Sequence, residues 1–123
     1  MIKILLTSIL VITGCTKTQR PVMTTTYRTL DYTTVQQHTA VTVLQRLDFN
    51  IKRADNSSVV SEKLRHLTRN YGDYNLWVVV DLVKKHIQVF CEPYDLCKSE
   101  DGKVNSEFVK TMLETALNDT EYI

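Results

Sequence analysis

The 123 residues carry 15 lysines and arginines against 14 aspartates and glutamates, with three cysteines and three glycines. That length predicts one domain and not two. A chain so near neutrality lacks the concentrated basic face that duplex binding requires, so no nucleic-acid partner is expected.

Lys3, followed by the apolar run Ile4 to Ile12 broken only by Thr7 and Ser8, has the layout of a secretory signal. A spanning helix needs about 20 apolar residues and this run is roughly half that, so a permanent transmembrane anchor is not expected. The phrase that follows, Val11, Ile12, Thr13, Gly14, Cys15, resembles the lipobox of bacterial lipoproteins: an aliphatic residue and two small residues ahead of a cysteine. The resemblance implies residues 1–14 as a signal peptide, cleavage before Cys15, and diacylglycerol on the Cys15 thiol, with palmitate-type acyl chains as the only attached group. Two or three such chains hold a protein on a membrane where one does not. Thr16 is not the aspartate that retains such lipoproteins in the inner membrane of enteric-type bacteria. The implied address is therefore the outer membrane, facing the periplasm.

Residues 15–23 have few large apolar side chains and no periodicity, and read as a tether to a single domain over 24–123. With Cys15 lipidated, Cys91 and Cys97 remain as an even pair in an oxidising compartment. A disulfide between them closes a ring through Glu92 to Leu96, worth about 2 kcal/mol by loop closure. A metal site or two free thiols are the alternatives that the spacing leaves open.

Thr24 to Leu30, with Thr25, Tyr27 and Thr29 on one side, predicts a first strand. Asp31, Thr33 or Thr34 offers an N-cap for a helix whose stripe is Val35, Ala40, Val43, Leu44 and Leu47. Phe49 and Ile51 alternate with polar neighbours as in a half-buried strand. A turn over Asp55 to Ser58 leads to a returning strand over Val59 to Arg65. Tyr71 to Asn75 read as loop, and Leu76 to Val83, nearly all apolar, as the central strand. After a turn at Lys84 and Lys85, His86 to Cys91 alternate as another strand. Asn105 or Ser106 is expected to cap a final helix with the stripe Phe108, Val109, Met112, Leu113, Ala116 and Leu117. The fold class is α+β: a two-layer domain, an antiparallel sheet of about five strands with two helices on one face.

Val43 to Ile51, leading through Asp55 to Val59, Val60 and Ser61, is similar to a pattern found in a widespread group of small, mostly uncharacterised bacterial lipoproteins. There a helix ends in a leucine, glutamine, x, leucine, glycine, phenylalanine phrase, followed by a strand and hairpin. Asp48 stands where that glycine usually is, which argues against a tight left-handed helix cap. The architecture resembles the helix-grip domains of the accessory lipoprotein of the outer-membrane barrel assembly machine, a likeness of fold that carries no function.

Chemistry is sparse. His38, His66 and His86 lack the spacing of metal ligands, and the acids around Glu92, Asp95, Glu100 and Asp101 lack the order of a calcium loop. No Gly-x-Ser-x-Gly elbow or phosphate-cradling glycine loop is present. Tyr27 and Tyr32 lie near strands, and Tyr71, Tyr74 and Trp77 are candidates for an interaction surface. The expected function is a non-catalytic binding or scaffolding module, without metal or further cofactor, that docks an envelope protein through its sheet face or edge. The competing expectations are a small-ligand-binding protein and a metal-dependent envelope enzyme drawing on His66, His86, Asp73 and Asp81.

Overall fold

Strand-forming side chains that alternate in and out build one layer of this chain, and two long helices supply the second. The computed structural model describes residues 20–28, 33–68 and 72–119. The expected signal peptide, Cys15, the tether up to residue 19, and Thr29, Leu30, Asp31, Tyr32 and Tyr71 lie outside the described residues. So does the Thr33 side chain.

The elements run β1 (Met23–Thr26), α1 (Thr33–Arg46), β2 (Ile51–Ala54), β3 (Ser58–Ser61), β4 (Leu64–Thr68), β5 (Gly72–Asp81), β6 (His86–Glu92), α2 (Tyr94–Cys97) and α3 (Glu100–Asp119). All pairings are antiparallel. The strand order is β1-β6-β5-β3-β2, with β4 also on β5. This is the two-layer α+β domain that the hydrophobic pattern predicts.

As expected, β5 is central. Tyr74, Leu76, Val78 and Val80 of β5 are fully buried, and with Ile87 and Val89 of β6 and Val59 of β3 they form the inner face. Ala40, Val43 and Leu44 of α1, and Val109, Leu113 and Leu117 of α3, close the core from the other layer. At roughly 2 kcal/mol per buried aliphatic side chain, this layer contact is the main stabilising term.

The expected single strand over Val59 to Arg65 is two. The register along β5 slips by one residue between Val60, opposite Val79, and Leu64, opposite Leu76. At the slip the Val78 amide donates to the Ser61 hydroxyl at 2.9 Å. A buried side-chain oxygen thus replaces the missing ladder carbonyl. A second irregularity lies between Ile51 and Arg53 of β2, so both interruptions meet at Ser61. The β2–β3 turn is fastened by Asp55, which accepts the Ser57 and Ser58 amides and the Ser57 hydroxyl. These bonds, the Ser57 amide first, hold its carboxyl below the usual range.

Of the loop expected over 71–75, residues 72–75 are instead the start of β5. Thr68 pairs with Gly72 and Leu67 with Asp73, and Tyr74 turns inward. Gly72 takes φ +105, open to glycine alone without strain, where the hairpin enters the strand. Cross-strand pairing and the burial of Tyr74 outweigh the weak strand preference of Gly, Asp and Asn.

Asp48 corrects the expectation drawn from its missing glycine. It sits at φ 73, in the left-handed region. Its amide donates to the Gln45 carbonyl at 3.0 Å, and the Phe49 amide to the Leu44 carbonyl at 2.9 Å. This is a Schellman cap, with buried Phe49 and Leu44 as its apolar pair.

The last helix also starts earlier than its stripe predicts. Ser99, not Asn105 or Ser106, is the cap: its hydroxyl accepts the Gly102 amide at 3.2 Å, and Glu100 and Asp101 occupy the favourable first turn. With the helix entering there, its buried line is Gly102, Ser106, Val109, Leu113 and Leu117. Phe108 and Met112, expected in the core, are 52% and 41% exposed.

Candidate functional site

The helices cover one face of the sheet, and the other face is where side chains remain available. Its residues are those that alternate with the core: Trp77 and Val79 of β5, Gln88 and Phe90 of β6, Val60 of β3, Lys63 just before β4, and Arg65 and Leu67 within it. Register puts Trp77 directly opposite Phe90, and their rings stack with centroids 5.4 Å apart and planes 10° from parallel. Lys63 lies over the Trp77 ring at 4.9 Å while its ammonium donates to Glu92 at 2.7 Å. Leu67 is 68% exposed.

Charges on this face are paired. Lys63 meets Glu92, and Arg65 approaches Asp73 at 3.4 Å. Arg53, at the β2 end, approaches Asp55 at 3.5 Å. Such exposed pairs contribute little stability. Their effect is to leave a nearly neutral surface with two stacked aromatic rings at its middle, the composition of a protein-binding patch and not of a phosphate-binding one.

Of the three residues expected to form an interaction surface, Trp77 stands on this open face. Tyr71 lies outside the described residues. Tyr74 is a correction: it is fully buried on the helix side. Strand alternation sends it inward with Leu76, and its hydroxyl finds partners in the first two turns of α3. It donates to the Asp101 carboxylate at 2.6 Å and receives the Asn105 amide. Burial, and then the bond to Asp101, pushes this phenol up to about 12. Tyr27 is buried as well, its hydroxyl directed to the buried Gln36 at 3.4 Å.

The residues of the competing enzyme reading are not brought together. His66 stacks on Tyr74 at 5.2 Å on the inner side of β4, and its Nδ1 lies 3.2 Å from the Leu64 carbonyl. Asp73 is on the outer side at that same end of β5. His86 and Asp81 face each other at the opposite end, roughly 27 Å away along an extended strand. Asp81 Oδ1 accepts the Val83 and Lys84 amides and so shapes the β5–β6 turn. Among the described residues, no three His, Cys, Asp or Glu side chains converge as a metal site.

Cys91 and Cys97 are joined in a disulfide, with Cα atoms 5.9 Å apart. It ties the end of β6 to α2, and α2 in turn sets the start of α3: Ser99 donates its hydroxyl to the Leu96 carbonyl at 2.6 Å. Sequence reasoning missed Ser61, Gln36 and Ser99. Only Ser99 carried a readable signal, a serine followed at once by two acids.

No helix among the described residues is long and apolar enough to cross a membrane. Comparison with protein-family models gives no match, and comparison with curated proteins gives none either.

Proposed function

We propose that this chain is a non-catalytic binding module of the cell envelope, anchored by lipid on Cys15, which docks a protein partner on the open face of its sheet. The observation that carries the reading is the stacked Trp77–Phe90 pair at the centre of a helix-free face whose charges are already paired. Aromatic side chains offer large rigid contact area at low entropic cost, which is why they anchor interfaces. The lipobox-like phrase ending at Cys15 supports the anchor.

The two halves are tested separately. Intact mass and membrane fractionation of the wild type beside Cys15→Ser address the anchor: acyl mass, loss of residues 1–14, and a soluble variant are expected. Retention of Met1 in both would overturn it. For docking, a photo-crosslinking residue is placed at Val79 on the open face or at Thr115 on the exposed side of α3. A discrete adduct is expected from position 79 alone, and Trp77→Ala should abolish it without lowering helix or strand content. Equal adducts from both positions, or one indifferent to Trp77→Ala, would sink the reading.

A further inference from the structure

A cleft of about 1040 Å³ opens at the end of the molecule opposite the β5–β6 turn. Pro21, Val22 and Met23 form one wall, and Pro93 with the Cys91–Cys97 disulfide forms another. The α3 side contributes Ser106, which is 1% exposed and whose hydroxyl has no hydrogen-bond partner among the described residues. A buried hydroxyl left unpaired is costly, and Ser106 lines a space large enough for a ligand.

Charge around the cleft is mostly positive. Arg20, Lys98 and Lys103 line it, and the single lining carboxylate among the described residues, Glu92, already takes a 2.7 Å bond from Lys63. Lys98 lies over the ring of the exposed Tyr94 at 4.6 Å, which keeps its ammonium near the cleft without neutralising it. The walls are apolar, Ser106 lies at their base and the cations stand around the opening.

We propose that this cleft binds a small organic acid, its apolar body against Met23 and Pro93 and its anionic head between Lys98 and Lys103 within reach of the Ser106 hydroxyl. The site is separate from the open sheet face and does not rest on the docking reading. Ser106 donates its hydroxyl hydrogen to the acid, which satisfies the group that is otherwise orphaned.

The test is a titration of the full chain with 4-phenylbutyrate and, in parallel, the neutral 4-phenylbutanamide, followed by the methionine methyl signals in NMR. Met23 lines the cleft and Met112 does not, so Met112 is an internal reference. A saturable shift of Met23 without movement of Met112 is expected, with the acid binding at least about tenfold more tightly than the amide. Lys98→Gln, a change at an exposed side chain that gives up its contact with the Tyr94 ring but touches no core residue, is expected to reduce that preference about fivefold. Ser106→Ala is expected to act in opposite senses, raising the melting temperature of the free protein while weakening acid binding about tenfold. A merely structural serine would lower the melting temperature and leave affinity unchanged. Equal binding of acid and amide, or no saturation up to about 10 mM, overturns the proposal. So does a Met23 shift indifferent to Lys98→Gln, which would assign the probe to the neighbouring groove of Val104 and Phe108.

Discussion

The Tyr74 hydroxyl donates to the Asp101 carboxylate at 2.6 Å, the point at which the central strand is joined to the first turn of the last helix. Because Asp101 is exposed and can be rehydrated, removing the hydroxyl leaves no buried acceptor behind. Tyr74→Phe is therefore expected to cost only about 1–1.5 kcal/mol in urea unfolding. A loss above about 3 kcal/mol would mean that the ring itself is displaced.

Alkaline titration reads two phenols at once. Burial, and then the charge of Asp81, pushes Tyr27 up to about 12, as burial and the Asp101 bond do for Tyr74. An unfolded tyrosine titrates near 10, so the unfolded chain gives up its protons first. Stability from keeping both hydroxyls neutral is whole below about pH 10 and is lost as pH climbs toward 12. Melting temperatures are expected to fall steeply across that window, and with a visibly shallower slope in Tyr27→Phe. A wild-type curve parallel to that of the variant would contradict the account.

Gly102→Ala is expected to destabilise although alanine is the better helix former. A Cβ at this position would lie 2.7 Å from the carbonyl oxygens of Leu96 and Cys97, both rigid backbone atoms. Overpacking of that kind costs more than the ~1 kcal/mol of helix propensity returns, for a net loss of about 2 kcal/mol. Thermal unfolding checks the sign directly.

Asp48→Gly works the other way. A residue with a Cβ at φ 73 carries strain that glycine does not. Since the side chain is exposed, the substitution is expected to stabilise by about 1 kcal/mol in the same unfolding assay. A destabilised variant would show that the Asp48 carboxylate has a role the cap geometry does not include.

Periodicity made most of the architecture legible. The nearly continuous apolar run of Leu76 to Val83 and the alternation of His86 to Cys91 announced the central strands, and the Val43, Leu44 stripe announced the first helix. Where reading failed, tertiary context overrode local preference. Tyr74 looked like loop because Gly72, Asp73 and Asn75 surround it, yet pairing with β4 makes it core. Phe108 and Met112 shared a broad apolar stripe with Val109 and Leu113, and nothing local says which side of such a stripe meets the sheet. The open face was half legible: Trp77 was singled out, while Phe90 and Lys63 joined it only through strand register. The cleft was illegible, since it brings Pro21 beside Cys97 and Ser106 from the far end of the chain.

β1 is held differently from the other strands. Like β2 and β4 it has one partner, but its pairing with β6, Met23 opposite Val89 and Thr26 opposite His86, spans roughly sixty residues of chain. β2 to β6, by contrast, pair close to home, so the loop-closure entropy paid to seat β1 is the largest in the sheet. Four residues give it little ladder to set against that cost. β1 is thus the first segment expected to peel away under native conditions, with its amides the fastest strand amides to exchange. The wall formed by Pro21 to Met23 would move with it, so the chain's latest-closing strand is also the movable side of the cleft beside the disulfide.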